Sequence, residues 1–252
     1  MLAAERRDHL LETLRRDGKI VAKTAAAELG LSEDSIRRDL RELAAEGLCQ
    51  RVYGGALPVS PALADHEGRR RVEVAGKQLV AAAAVKLIDP GSTVILDGGT
   101  TALAIVAALP ADLRCTVVTH SPTVAAALVE HPVAEVFVLG GRIFKHSAVA
   151  SGAAAVEAAQ MVSADVFFLG VTGIHPEAGL TTGDADEAAM KRALASRAAE
   201  TYVLGSSEKI GAASPYRVTG FDAVAGVITD VDADSDVVRR LGERVRIVEA
   251  HQ

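Results

Sequence analysis

The chain has no tryptophan, and its aromatic residues amount to 3% of 252 positions. A core must therefore be packed from Ala, Val and Leu, as in a soluble protein of that composition. Cys49 and Cys115 are the only cysteines. Two are too few for a disulfide framework or a metal cage, so they are expected as buried free thiols, with no metal and no cofactor. No apolar run approaches the roughly 18 residues that cross a membrane. The start, Met1-Leu-Ala-Ala-Glu-Arg-Arg7, lacks the apolar core of a signal peptide, which gives the expectation of a cytoplasmic protein. A uniform positive charge is missing too, since the net charge is −6.

That charge is uneven. Residues 1–77 carry 14 Lys and Arg against 13 Asp and Glu, and the rest carry 13 against 20. An acidic C-terminal part repels DNA, so any DNA contact is expected from the N-terminal part.

The N-terminal pattern reads as three helices and a hairpin. Leu10, Leu11 and Leu14 fall at helical spacing within 5–17, and Gly18 ends the run. A short helix over 22–29 stops at Gly30, and Ser32 suits the N-cap of a third helix. There Ile36, Leu40 and Leu43 share one face, leaving Arg37, Arg38 and Arg41 elsewhere. Extended pieces at 48–52 and 56–59 flank Gly54-Gly55. This is the order of a winged helix-turn-helix. Its third helix would enter the major groove with Ser35, Arg37 and Arg38, beside Arg41, while Arg51 and Tyr53 meet the flanking backbone. The plainer alternative is a solvated arginine-bearing helix in a small bundle. Residues 60–76 lack an apolar period and read as a linker with room for some helix, where Arg69, Arg70 and Arg71 either touch DNA or, the favoured reading, keep the linker soluble.

From Lys77 onward helices and strands alternate. Helices are expected at 78–88, 102–109, 123–130, 153–161, 185–199 and 235–241, and strands at 93–97, 115–119, 135–139, 165–169, 201–204, 225–229 and 245–249. A Gly-rich loop spans 170–183, and another loop runs to Gly220. Such alternation implies an α/β fold with a mostly parallel sheet, whose ligands bind at the carboxyl ends of the strands.

Those ends collect a consistent set. Asp97, Gly98, Gly99, Thr100 and Thr101 follow the first strand, in a turn whose helix start suits an anion. Thr119 and His120 follow the second, and Gly140 and Gly141 the third. Thr181 and Asp184 lie in the Gly-rich loop region, Glu187 and Lys191 one helical turn apart behind it, and Lys209 after the fifth strand. Hydroxyls, glycine amides and cations around one mouth suit a small polyhydroxy anion. Asp97 and Asp184 suit sugar hydroxyls or loop amides better than phosphate. Each feature alone has a plain counterpart, such as an exposed Glu187–Lys191 pair or a simple glycine turn.

The blocks Ser35-Ile-Arg-Arg-Asp-Leu-Arg-Glu-Leu-Ala-Ala-Glu-Gly-Leu48 and Arg51-Val-Tyr-Gly-Gly-Ala56 resemble the helix-turn-helix signature of the DeoR family. Asp97-Gly-Gly-Thr-Thr101, Asp165-Val-Phe-Phe-Leu-Gly170 and Gly179-Leu-Thr-Thr-Gly-Asp184, with Glu187 and Lys191, resemble that family's effector-domain motifs. The resemblance implies domains at 1–59 and 77–252 around a linker at 60–76, the larger one resembling the ribose-5-phosphate isomerase fold. It further implies a repressor of a sugar or polyol operon, a DNA operator, a phosphorylated-sugar effector and a homo-oligomer. By motif, Gly98, Gly99, Thr100 and Thr101 would hold the phosphate, with Asp97, Thr119, Asp184, Glu187, Lys191 and Lys209 around it. Two places depart from the family pattern: His120 stands where Asn is common, and Ser206-Ser-Glu-Lys209 where an acid usually leads. The competing expectation is a sugar-phosphate isomerase or deaminase with an added DNA-binding head.

Overall fold

The computed structural model describes residues 2–251. The chain starts with α1 (Ala3–Asp17), β1 (Ile20–Val21), α2 (Ala22–Leu29), α3 (Glu33–Ala45), β2 (Gln50–Val52) and β3 (Gly55–Leu57). Helix α3 begins where the Ser32 side chain accepts the Ser35 N–H at 3.2 Å. Ile36, Leu40 and Leu43 pack on Leu10, Leu14, Ala22 and Ala56 to make a separate small core. The wing has three strands, in the order β1-β3-β2. The expectation held only two, because a strand of two residues carries no readable period.

The stretch expected as a linker is ordered. A 3-10 turn at Pro61–Leu63, α4 (His66–Arg69) and α5 (Val74–Val85) occupy it. Ser60 and Asp65 cap the first two. Helix α5 starts four residues before the expected 78 because Gly76 and Lys77 lie on its buried face. A Gly and a Lys do not read as core in a sequence.

The remaining elements are β4 (Thr93–Leu96), α6 (Thr100–Ala108), β5 (Thr116–Thr119), α7 (Pro122–Leu128), β6 (Glu135–Val138), β7 (Arg142–Phe144), β8 (Val149–Ser151), α8 (Ala153–Ala159) and β9 (Ala164–Gly170). Then follow β10 (Gly173–His175), β11 (Gly179–Thr182), α9 (Ala185–Ala195), β12 (Ala198–Leu204), β13 (Tyr216–Thr219), β14 (Gly226–Thr229), α10 (Asp236–Gly242) and β15 (Ile247–Glu249). Seven strands form one sheet, β15-β14-β12-β9-β4-β5-β6, and every pairing in it is parallel. Adjacent Phe167 and Phe168 enter different cores, one on each face of the sheet. That is the two-residue alternation of a strand covered on both sides.

The stretches expected as loops at 170–183 and up to Gly220 contain strands, and a hairpin fills 142–151, where no element was expected. Strands β7 and β8 pair antiparallel, and β10, β11 and β13 make a small antiparallel sheet. Gly179-Leu-Thr-Thr182 has no apolar run, yet all four of its residues are buried. Its small and hydroxyl side chains fit a tight space, and that space exists only once the hairpin is folded.

From β4 the chain adds β5 and β6 on one side, then crosses to β9 and adds β12, β14 and β15 on the other. The order therefore reverses between β4 and β9, and a crevice opens beyond their carboxyl ends. No described helix is long and apolar enough to cross a membrane.

Candidate functional site

Asp97 directly follows β4 at this crevice and is wholly buried. One carboxylate oxygen accepts the Gly98 N–H at 2.7 Å and faces His120 Nε2 at 2.8 Å. The other accepts the Gly170 N–H at 2.9 Å and Lys191 Nζ at 2.7 Å. Burial by itself raises the carboxyl pKa. The Lys191 charge and the His120 hydrogen bond outweigh it and hold the group below the ordinary carboxylate range. Asp97 thus ties together the ends of β4 and β9, the helix α9 and the loop after β5. His120 faces Asp97 with one ring nitrogen and the Ala150 carbonyl with the other, at 2.8 Å.

Above this anchor Gly98 and Gly99 turn the chain into α6. A Cβ on Gly98 would stand 2.1 Å from Val149 Cγ1, and Gly99 takes φ 105°. Both positions need glycine. No side chain caps α6. Its first N–H groups lack intrahelical acceptors and carry the positive end of the helix dipole. Beside them Lys209 Nζ donates to Thr101 Oγ1 at 3.2 Å and to the Leu204 carbonyl at 2.9 Å. Burial pushes the Lys209 pKa down to about 8, against a smaller opposing pull from Glu208. Lys209 has no carboxylate within ion-pair distance among the described residues.

The far wall comes from the supposed linker. Lys77 Nζ lies 3.4 Å from Glu208 Oε1 and donates to the carbonyls of Arg69, at 3.0 Å, and Val72. Burial lowers the Lys77 pKa, and Glu208 partly offsets that. Arg69 lines the hollow together with Gly98, Gly99, Thr100, Thr101, Ser147, Thr172, Glu187, Lys191 and Lys209. The hollow measures about 30 Å³. A second, of about 250 Å³, adjoins it and shares Ala62, Arg69, Ser147, Thr172 and Glu187.

The expected residues therefore divide. Gly98, Gly99, Thr100, Thr101, Glu187, Lys191 and Lys209 line the hollow. The Glu187–Lys191 pair is buried rather than exposed, 4.0 Å apart, and the Thr182 hydroxyl donates to Glu187 at 3.3 Å. Asp97 and His120 lie beneath the floor. The Thr119 hydroxyl is committed to the Ser121 N–H at 3.1 Å. Thr181 bonds Gly173 and Ser214 within the small sheet. Asp184 caps α9 through the N–H groups of Asp186 and Glu187, each at 3.0 Å, and borders only the outer hollow. Gly140 and Gly141 stand apart from both hollows, as the corner between β6 and β7. They turn the chain because β7 pairs with β8 rather than extending the sheet.

Arg69, Lys77 and Glu208 were missed as lining residues. The assignment of Arg69 to solubility is corrected by its place in the wall. A signal was present in the caps Ser60 and Asp65, which argue for folded turns rather than a loose linker.

In the N-terminal head, Arg37, Arg38 and Arg41 are exposed along α3. Arg37 pairs with Glu33 at 2.6 Å, while Arg38 has no partner among the described residues. The Ser35 hydroxyl is 2.9 Å from the capping Ser32 hydroxyl, so it serves the helix start. Arg51 and the fully exposed Tyr53 stand on the wing, across a groove from Glu33 and Arg37. Beneath, Arg6 grips Asp39 with Nε and Nη2 and fixes α1 to α3.

A helix-turn-helix head with exposed arginines, joined to a parallel sheet with a cation-lined hollow at its switch point, defines a ligand-responsive DNA-binding regulator. The chain belongs to the DeoR family. Residues 6–62 match the DeoR-like helix-turn-helix domain, and residues 72–231 match the DeoR C terminal sensor domain. It is 34% identical to the HTH-type transcriptional regulator GlpR of Haloferax volcanii, over 94% of this chain and 93% of that one. It is 32% identical to a putative aga operon transcriptional repressor of Escherichia coli O157:H7, over 97% and 94%. The deoxyribose operon repressor of Escherichia coli K12 is 28% identical over 93% of each chain. Among solved structures, a ribose 5-phosphate isomerase from Methanocaldococcus jannaschii aligns over 53% of this chain and 52% of its own, at 18% identity and TM-score 0.39. So distant a likeness carries no weight on activity.

Proposed function

We propose that this regulator represses an operon of sugar or polyol metabolism and leaves its operator when a phosphorylated sugar fills the hollow at the switch point. Residues 1–59 read DNA, 77–252 hold the effector and pair copies of the chain, and 60–76 join the two. The observation that carries the reading is the uncapped start of α6, with the Gly98-Gly99 turn and the Lys209–Thr101 contact beside it. Free N–H groups, a hydroxyl and a buried cation without a carboxylate match a phosphate group. A homodimer or dimer of dimers suits paired half-sites, because a single head gives limited affinity. Effector release of DNA requires different affinity for the two states, typically a coupling of about 1–3 kcal/mol. The chain acts by binding rather than turnover, as a regulator.

The test is fluorescence anisotropy with DNA from upstream of the gene, at two salt concentrations, with and without pooled sugar phosphates. Tight, salt-sensitive binding weakened by the pool supports the reading. Turnover of a sugar phosphate by the purified chain would replace it with an enzymatic one.

A further inference from the structure

The hollow contains polar atoms that none of the described residues satisfies. Arg69 Nε and Nη2 are buried and have no hydrogen-bond partner, and neither has Glu208 Oε2. Both side chains line the same hollow. Buried donors and acceptors without partners are costly and rare, so each asks for a partner that is not protein. The two Arg69 atoms lie on one edge of the guanidinium. Arg6 uses that same edge to hold both oxygens of Asp39, and Arg16 uses it to hold Asp17 at 2.8 and 2.9 Å. Arg69 makes no ion pair among the described residues, although Glu187, Asp97 and Asp65 act on it from a distance. Its charge in turn reaches Lys209.

We propose that Arg69 grips an oxyanion of the effector with its Nε–Nη2 edge, so that the anion is held between the linker helix α4 and the start of α6. The inference rests on the anion-sensing reading above and adds the residue and the segment through which sensing reaches the head. Glu208 Oε2 supplies the matching acceptor for a ligand hydroxyl. Size makes the linker part of the event. The inner hollow of about 30 Å³ alone holds roughly two waters. The adjoining hollow of about 250 Å³ shares Arg69 with it, so a sugar phosphate anchored at the start of α6 extends past Arg69 and presses on the segment that carries it. The wall segment bearing Arg69 is a four-residue helix held by its Asp65 cap, by His66 N–H to the His146 carbonyl at 2.8 Å, by the His146 ring against the Leu63 carbonyl at 3.1 Å, and by Lys77. Filling the hollow shifts that segment, and the head hangs from its other end.

The test uses the full chain and the variants Arg69→Gln and Arg69→Lys. Inorganic phosphate, ribose 5-phosphate and gluconate serve as probes. Calorimetry gives affinity, and limited trypsin cleavage after the exposed Arg70 and Arg71 reports on the linker. In the wild type, ribose 5-phosphate is expected to bind and to change the cleavage rate. Arg69→Gln should weaken binding at least tenfold and abolish the change. Arg69→Lys should fall between, since it keeps the charge and loses the fork. It also decides the matter if the Gln variant melts early. Wild-type binding to gluconate alone, lost in Arg69→Gln, keeps the grip and makes the anion a carboxylate. Binding that both variants retain, with cleavage still responsive, overturns the role of Arg69 and leaves the anion-sensing reading intact. A wild type that binds none of the probes overturns both.

Discussion

The head and the large sheet domain use charge in opposite ways. The head keeps its cations outside: Arg37, Arg38, Arg41 and Arg51 are exposed, and its one buried pair, Arg6 with Asp39, closes on itself. The sheet domain buries Asp97, Glu187, Lys191, Lys209, Lys77 and Glu208 side by side at one sheet edge, and leaves the set incomplete. The difference follows from the partner. A polyanion is met over a wide surface, where counterions are released and cations must stay mobile. A small anion is held by a few cations already stripped of water, where each charge acts strongly because little solvent screens it. Added salt should therefore weaken DNA binding steeply and effector binding little, since a Debye length near 8 Å screens only the exposed set.

The largest effect is expected from breaking the buried set. Lys191→Ala leaves Asp97 buried with only His120 opposite its charge, and removal of one partner from such a pair costs about 3–5 kcal/mol. Urea unfolding of the full chain measures it. Arg6→Ala should cost less, because Arg6 is 17% exposed and water reaches the gap. Equal losses at the two sites would erase the contrast between the regions.

Next in size is the double change Arg38→Ala with Arg41→Ala. Two lost phosphate contacts should reduce the salt slope of DNA binding by about 2 and weaken it by roughly one to two orders of magnitude at low salt. Effector affinity should not move. An unchanged slope would take α3 out of the groove.

The sequence carried the head well. The Ile36, Leu40 and Leu43 spacing, Ser32 and Gly30 are local signals, and they set α3 directly. It also carried the parallel sheet, since helix and strand periods alternate. It failed where position depends on distant chain. Arg69 looks like one of three solvated arginines until α4 folds against the sheet edge. Glu187 and Lys191 look like a surface pair until α9 packs that face down on Asp97. Gly140 and Gly141 resemble Gly98 and Gly99 in sequence. Only the second pair opens a helix of the sheet onto the hollow; the first opens a hairpin.

A smaller effect separates the regions by pH. Arginines in the head stay charged through pH 7–10. Lys209 is depressed from 10.5 to about 8 by burial. An anion favours the charged lysine, so effector affinity is fully present below pH 8 and falls as pH rises above it, by up to tenfold per unit while the bound lysine stays protonated. The same shift acts on folding with the opposite trend. The folded chain binds fewer protons than the unfolded one between about pH 8 and 10.5, so this lysine's penalty on stability is greatest below 8 and is relieved above it. Calorimetric titration of ribose 5-phosphate at pH 7 and pH 9 checks the first trend. Affinity flat across that window would mean that Lys209 does not face the anion.

The smallest effect comes from the one arginine of α3 that an acid holds among the described residues. Glu33 holds the Arg37 guanidinium at 2.6 Å on the exposed face of α3. An exposed pair one turn apart contributes about 0.3–0.5 kcal/mol, so Glu33→Gln should hardly change melting. Its effect on DNA should run the other way. The change removes a negative charge from the groove-facing side and frees Arg37 for a phosphate, so binding should tighten several-fold and the salt slope should steepen by up to 1. Arg37→Ala tests the same pair from the other side. If Arg37 leaves Glu33 when DNA arrives, the Ala variant weakens binding and Glu33→Gln strengthens it. If the pair stays closed on DNA, Arg37→Ala leaves the slope unchanged, and the wild-type contacts of α3 fall to Arg38 and Arg41.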